Sequence, residues 1–222
     1  MRYIKFGTYT GEENMRIDSE LLEEAIQTQT EESIFRLYSW SPMCISLGRN
    51  QDGCTSVERI VEAGKNIGID VVRRVTGGRA LLHDDEITYS YITPISAIPD
   101  GESVSKSYQY ISGILIDFFK TLSVELTIGN DKHASTKHDY CMLISTGADV
   151  CYQGKKIIGS AQFRKNGYIL QHGSILFGYD KNLLEKLFNE KVSSDCIATI
   201  KEILPDITKE EFVKAFEKYI LS

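Results

Sequence analysis

A basic segment with two adjacent glycines is the part of this sequence best suited to hold a substrate. The segment runs from Arg73 to His83 and lies between two runs of β-branched or apolar residues. Gly77 and Gly78 lack β-carbons, so their backbone can adopt positive φ and approach a ligand closely. The neighbouring arginine, threonine and histidine side chains add donors that suit an anionic or acyl group. This pattern indicates a binding loop.

The segment taken alone leaves two interpretations open. It lacks the Gly-x-x-x-x-Gly-Lys-Ser/Thr pattern of a Walker loop and the third glycine of a dinucleotide fingerprint. A tight turn between two strands, with its arginines directed into water, explains the segment equally well.

A second candidate cluster lies downstream, in Gly154–Gln162 and Gln171–Ser174. The first part contains two lysines followed by a Gly-Ser pair, and the second contains a His-Gly pair. Lysines at the start of a strand are usually solvated edge residues. The nearby Gln162 and His172 favour a functional role for this cluster.

These segments, in this order, resemble the biotin/lipoate protein ligase catalytic-domain family, which includes lipoate-protein ligases and octanoyltransferases. The resemblance covers most of the chain. It is carried by Glu13–Asp18, Leu47–Gln51, Arg73–Ala80 with His83, Lys156–Gln162, and His172-Gly173.

The resemblance implies which residues form the site. It gives Cys141 and Lys156 as catalytic residues, and it implies no metal. The implied substrate-binding residues are Arg73, Arg74, Thr76, Gly77, Gly78, Arg79, Ala80, His83, Gly159, Ser160, Gln162, His172 and Gly173.

Cys141 links the chain to one octanoyltransferase branch, which places its nucleophile thirteen residues before the glycine of the Gly-Lys-Lys hairpin. The same spacing separates Cys141 from Gly154. A free cysteine has a pKa of about 8.5, and a nearby ammonium favours the reactive thiolate. Lys156 would supply that ammonium or serve as general base. One departure stands out, because the branch usually follows its cysteine with a run that contains Pro-Ser, whereas this chain has Met142–Ala148.

The resemblance favours one activity and leaves two alternatives. The favoured activity moves an octanoyl group from octanoyl-acyl carrier protein, through a thioester on the cysteine, to a lysine of a lipoyl domain or glycine-cleavage H protein. It uses no cofactor. The first alternative is a lipoate-protein ligase that uses ATP and Mg²⁺ to form lipoyl-adenylate, and the second is a lipoyl-binding module without turnover.

Several cysteines and histidines have simpler interpretations. Cys141 could pack as an ordinary buried thiol, since cysteine behaves as a small hydrophobe. His83 and His172 either contact substrate or support groups that do. The remaining residues of these types are expected to be structural or solvated: Cys44, Cys54, Cys151, Cys196, His133 and His138.

The periodicity of apolar residues predicts the elements that position these groups. Helices are predicted around Met15–Ile26, Ile60–Gly68 and Val104–Leu122, with a C-terminal helix after the capping box of Thr208 and Glu211. Strands are predicted at Ser33–Trp40, Met43–Leu47, Asp70–Val75, Ile87–Thr93 and Gly167–Phe177, with a hairpin over Ala148–Ile158 that turns at Gln153-Gly154. The predicted fold class is α+β, with mixed β-sheets and flanking helices like a class II biotinyl or lipoyl ligase.

Composition limits the remaining possibilities. The 222 residues suit one catalytic domain, 1–222, with a helical C-terminal tail from about 180 and no separate accessory domain. The net charge of −6 disfavours nucleic acid as a partner. Because no apolar run approaches about 20 residues and no signal peptide is evident, we expect a cytoplasmic protein with no membrane partner. Five cysteines without zinc spacing favour free thiols, and a monomer is the default expectation.

Overall fold

The computed structural model describes residues 1–51, 55–129, 139–143 and 145–222. Cys54, His133 and His138 lie outside these ranges, so the expectations for them stay predictions. Within the described ranges, two sheets and flanking helices form the mixed α+β arrangement that the sequence predicts.

The larger sheet has seven strands in the order β1-β2-β6-β10-β9-β8-β7. The first two strands pair in parallel and all other neighbours are antiparallel. The strands are β1 (Arg2–Tyr9), β2 (Ile34–Trp40), β6 (Glu86–Pro94), β7 (Thr127–Ile128), β8 (Val150–Tyr152), β9 (Lys155–Lys165) and β10 (Tyr168–Leu176). Every residue of β6 and of β10 is buried, because both faces of the sheet are covered.

The smaller sheet has three strands, β3 (Cys44–Leu47), β4 (Asp70–Arg73) and β5 (Leu81–His83), with β3 in the middle. β3 pairs in parallel with β4 and antiparallel with β5. The candidate binding loop therefore connects the two outer strands of this sheet.

The helices are α1 (Gly11–Thr28), α2 (Thr55–Asn66), α3 (Val104–Thr121), α4 (Lys181–Phe188), α5 (Ile200–Ile203) and α6 (Lys209–Leu221). α3 and α6 contribute Phe118, Phe212 and Phe216 to the main core against one face of the larger sheet. α1 packs its buried Leu22 and Ala25 against the other face. No helix in the described ranges is both long and apolar enough to cross a bilayer.

The predicted helices are confirmed, including the capping box of Thr208 and Glu211. Val104 is an exception to the predicted buried face, because it is 54% exposed and its helix joins the core only from Ser107 onward. The C-terminal helix α6 packs into the main core, since its Phe212 and Phe216 are fully buried.

The predicted hairpin is confirmed, and its second strand is longer than expected. Gln153 and Gly154 have φ values of 48° and 81°, as a two-residue type I′ turn requires. β9 then continues to Lys165, because its antiparallel pairing with β10 extends that far. This strand consequently contains Gly159, Ser160 and Gln162.

Candidate active site

A cavity lies between the two sheets and α1. The larger sheet contributes a row of paired residues, Gly159, Ser174, Thr88 and Tyr38, one from each of four neighbouring strands. Because neighbouring strands are about 4.8 Å apart, this row spans roughly 14 Å. The cavity lining consists of Met15, Tyr38, Trp40, Ser46, Arg74, Gly78, Leu81, His83, Thr88, Cys141, Gly159, Ser160, Ala161, His172, Gly173 and Ser174.

Cys141 lines this cavity and is held by the candidate binding loop. It begins a short 3₁₀ helix, Cys141–Leu143, and its backbone N–H donates to the Ala80 carbonyl at 3.1 Å. Its side chain is partly exposed, whereas Met142 next to it is fully buried. The thiol is thus anchored by its backbone while it remains accessible from the cavity.

Lys156 is buried directly beside Cys141, with only 2% of its surface exposed. Its Nζ lies 3.0 Å from the Cys141 carbonyl oxygen and 3.9 Å from the Cys141 Sγ. Residues 196–198 cover this end of β9, because the backbone of Lys156 bonds to Cys196 and Ala198. The interpretation as a solvated edge lysine is therefore wrong for Lys156.

Asp149 completes this cluster and was not singled out from the sequence. Its Oδ1 lies 3.0 Å from Lys156 Nζ, and its side chain is 4% exposed. Its Oδ2 accepts from the backbone N–H and hydroxyl of Thr146 at 2.7 and 2.9 Å. A lone aspartate just before a short strand carries no pattern that would have revealed this contact.

The cluster keeps Lys156 charged. Burial disfavours the ammonium form, but the acidic groups of Cys141 and Asp149 outweigh that effect and raise the pKa of Lys156. A lysine with a raised pKa holds its proton at neutral pH, so Lys156 can provide a fixed positive charge beside the thiol.

The loop after β4 is shaped by the buried side chain of Arg74. Its guanidinium donates to the Ser46 carbonyl at 3.0 Å and to the carbonyls of Gly77 and Arg79 at 2.9 and 2.7 Å. Gly78 has a φ of +96°, which glycine adopts without steric cost. A plain turn with solvated arginines therefore does not describe Arg74.

The other members of the loop have supporting positions. Arg73 is exposed and donates to the Gly48 carbonyl at 2.8 Å. Arg79 has one buried nitrogen, Nη1, without a hydrogen-bond partner among the described residues. Neither side chain lines the cavity, nor do Thr76, Gly77 and Ala80.

His172 lines the cavity and holds the loop from the larger sheet. Its Nε2 lies 2.7 Å from the Thr76 hydroxyl, and its Nδ1 lies 3.3 Å from Asp18 Oδ2. Asp18 also pairs with the buried Arg36 at 2.7 Å. Burial lowers the pKa of His172 more than the Asp18 carboxylate raises it, so the imidazole is neutral at pH 7.

We expect this buried imidazole to make the fold sensitive to mild acid. The pKa of His172 is below its ordinary 6.5 in the folded chain, so below about pH 6.5 the unfolded chain binds more protons. The free energy of unfolding should therefore fall as the pH drops from 7 toward 5, as measured by urea denaturation. His172→Gln should flatten this slope, and an equally steep slope in that variant would contradict the assignment.

His83 lines the opposite wall of the cavity. Its Nε2 lies 2.7 Å from Ser46 Oγ and its Nδ1 lies 2.8 Å from Glu86 Oε1. Its ring stacks on Trp40 with 3.8 Å between the centroids. Sequence reasoning found the histidine but neither Ser46 nor Glu86, because no motif connects them.

Two glycines allow the sheet to form the cavity wall near Cys141. A β-carbon on Gly173 would lie 2.5 Å from the Gly159 carbonyl oxygen, and one on Gly159 would lie 2.9 Å from Met142 Sδ. Ser160 lines the cavity and its hydroxyl lies 2.8 Å from the Tyr89 hydroxyl. Gln162 lies outside the lining and bonds to Ser107 and Gln171 instead.

The structure thus brings most of the sequence-predicted residues to one cavity or into contact with its lining. The members that line it are Arg74, Gly78, His83, Cys141, Gly159, Ser160, His172 and Gly173. Four further lining residues lie in the segments that the sequence singled out but were not named as site residues: Met15, Leu81, Ala161 and Ser174. The lining residues outside those segments are Tyr38, Trp40, Ser46 and Thr88.

Comparison with known proteins agrees with this architecture. The model of the lipoyl protein ligase A/B catalytic domain family matches residues 10–221. The chain is 37% identical over 187 residues to octanoyltransferase LipM of Carboxydothermus hydrogenoformans, covering 84% of this chain and 67% of that protein. It is 34% identical over 242 residues to octanoyltransferase LipM of Geobacillus kaustophilus, covering 98% of this chain and 85% of that protein.

Solved structures show the same fold at low identity. Lipoate-protein ligase A bound with ATP superposes with a TM-score of 0.71 at 20% identity, covering 99% of this chain and 83% of that chain. The putative lipoate protein ligase Ta0514 from T. acidophilum, with bound lipoic acid, gives a TM-score of 0.72 at 20% identity and the same coverage. The predicted fold class is confirmed, and the chain belongs to the lipoyl protein ligase A/B catalytic domain family.

Proposed function

We propose that this chain is an octanoyltransferase that moves an octanoyl group from octanoyl-acyl carrier protein to a protein lysine through a thioester on Cys141. The observation that carries the proposal is the 3.9 Å contact between Cys141 Sγ and the buried Lys156 Nζ at the wall of the cavity. The relatives named octanoyltransferase LipM, 33–37% identical to this chain, support the same activity.

The first step loads the enzyme. The Cys141 thiolate attacks the carbonyl carbon of the octanoyl thioester, and the bond between that carbon and the carrier sulfur breaks as the carrier thiolate leaves. The apolar chain then extends from Cys141 along the cavity, past Gly159 and Gly173. Lys156 stays protonated and stabilises the negative charge of the thiolate before attack.

The second step transfers the octanoyl group to the acceptor. The neutral amine of a lysine on a lipoyl domain or glycine-cleavage H protein attacks the carbonyl carbon of the Cys141 thioester. The C–S bond breaks, the Cys141 thiolate leaves, and the nitrogen gives up one proton to water as the amide forms. The fixed charge of Lys156 favours this departure. Backbone N–H groups near Gly78 or Gly159 would stabilise the oxyanion, each worth about 2.7 to 4 kcal/mol.

This route defines what the reaction requires. The donor already carries an activated thioester, so neither ATP nor Mg²⁺ takes part. Lys156 acts as an electrostatic partner rather than a general base, because its pKa is raised and its proton is retained.

We expect the protein to acquire one octanoyl group when it is incubated with octanoyl-acyl carrier protein without ATP. Intact mass spectrometry would detect the adduct, hydroxylamine should remove it, and peptide mapping should locate it on Cys141. Addition of an apo lipoyl domain should discharge the adduct and octanoylate the acceptor.

Two other outcomes would replace this proposal. Lipoylation that appears only with free lipoate, ATP and Mg²⁺, with no adduct, would identify an adenylating ligase. Tight binding of octanoate or lipoate without turnover under either condition would identify a binding module.

A further inference from the structure

Three buried polar residues at or next to the cavity take no part in the transfer steps described above. They are Ser46, His83 and Glu86, whose exposed fractions are 1%, 5% and 1%. An octanoyl chain is apolar and needs no hydrogen-bonding groups along its path. Because burial of a carboxylate and an imidazole is costly unless they are hydrogen-bonded, their arrangement calls for a chemical explanation.

The three side chains form one hydrogen-bonded chain. Ser46 Oγ lies 2.7 Å from His83 Nε2, and His83 Nδ1 lies 2.8 Å from Glu86 Oε1. An ionised carboxylate only accepts, so Nδ1 donates to Glu86, and Nε2 is left to accept the Ser46 hydroxyl proton. A hydroxyl, an imidazole base and an orienting carboxylate in this order form the arrangement that activates a serine nucleophile.

Neighbouring groups hold the hydrogen-bonded chain of Ser46, His83 and Glu86 in place. The hydroxyls of Thr88 and Ser174 donate to Glu86, and the Trp40 Nε1 donates to Thr88 at 2.8 Å. Trp40 also stacks on the His83 ring, with 15° between their planes. These contacts leave the imidazole little freedom to rotate away from Ser46.

A positive charge lies next to Ser46. Arg74 Nη1 donates to Ser46 Oγ at 3.0 Å, and Arg74 is only 7% exposed. A buried guanidinium at this distance stabilises negative charge on the serine oxygen as its proton moves to His83. Ser46, His83 and Arg74 all line the cavity that Cys141 also lines.

We propose that Ser46, His83 and Glu86 form a second nucleophilic centre that hydrolyses small carboxylic esters admitted to the cavity. Ser46 Oγ attacks the ester carbonyl while His83 Nε2 takes the hydroxyl proton. The ester C–O bond breaks, and the alcohol leaves with that proton. Water then attacks the acyl-serine, His83 accepts a proton from it and returns the proton to Ser46 Oγ, and the carboxylic acid departs.

The test uses Cys141→Ala protein, so that the cysteine cannot react with an activated ester. This protein should hydrolyse p-nitrophenyl butyrate, and the additional change Ser46→Ala should lower the rate at least about a hundredfold, the scale of lost base-assisted attack. The matched control is Ser90→Ala, which removes another buried serine hydroxyl outside the cavity lining and should leave the rate unchanged.

A second measurement does not depend on any change at Ser46. An alkyl fluorophosphonate should phosphonylate Ser46 with loss of fluoride, and peptide mapping should find no label on Ser160 or Ser174. Equal ester hydrolysis with and without the Ser46 hydroxyl in folded protein, or no label on Ser46, would overturn the proposal. Octanoyl transfer through Cys141 is assayed separately, so its failure would leave this test intact.

Discussion

Cys141→Ala is expected to lower octanoyl transfer by at least about 10⁴-fold, because loss of a covalent nucleophile removes the intermediate itself rather than one contact to it. The cavity and Lys156 remain in this variant, so octanoate binding should persist. The measurement is octanoylation of an apo lipoyl domain, followed by intact mass, together with the hydroxylamine-sensitive adduct on the enzyme.

The chain offers a matched control for this substitution. Cys196 is exposed, and its backbone carbonyl accepts from Lys156, while its thiol lines no part of the cavity. Cys196→Ala should keep full transfer activity. An adduct that persists in Cys141→Ala protein and that peptide mapping places on another cysteine would contradict the assignment.

Lys156→Met is expected to impair both chemistry and stability. The thiolate of Cys141 loses the positive charge 3.9 Å away, so its alkylation by iodoacetamide and the rate of transfer should fall about 10²-fold or more. The carboxylate of Asp149, 4% exposed, also loses its cation, and breaking a buried pair in this way costs about 3 to 5 kcal/mol of unfolding free energy.

A double variant separates these two effects. In Lys156→Met with Asp149→Asn, no unpaired charge stays buried, so urea denaturation should show most of the lost stability restored. Transfer and alkylation should remain low, since the charge beside the thiol is still missing. Recovery of transfer in the double variant would show that Lys156 matters only for folding.

Local patterns sufficed for most of the secondary structure. The spacing of Ile111, Leu115 and Phe118 predicts a helix because these side chains meet on one face whatever they pack against. Gln153-Gly154 predicts a two-residue hairpin because glycine readily adopts the positive φ that such a turn requires. The extension of β9 beyond Ile158 could not be foreseen, since it depends on pairing with β10 along its whole length.

The same local patterns identified only part of the candidate site. Ordered motifs indicated Cys141, Lys156 and the two histidines, yet the burial of Lys156 comes from residues 196–198, some forty positions away in sequence. The sequence did not indicate Ser46 or Glu86. Each is a single polar residue in a strand, and a buried polar residue there has no periodic signature.

Apolar spacing, turn residues and the order of several motifs indicated the kind of fold and the family, because these properties are present in the chain before it folds. The protonation and contacts of the individual groups could be read only from the folded protein. The charge of Lys156, the neutrality of His172 and the contact of Ser46 with His83 depend on distances between residues far apart in the chain. Burial and hydrogen bonding set the protonation of such groups, and both exist only when the sheets have come together around the cavity.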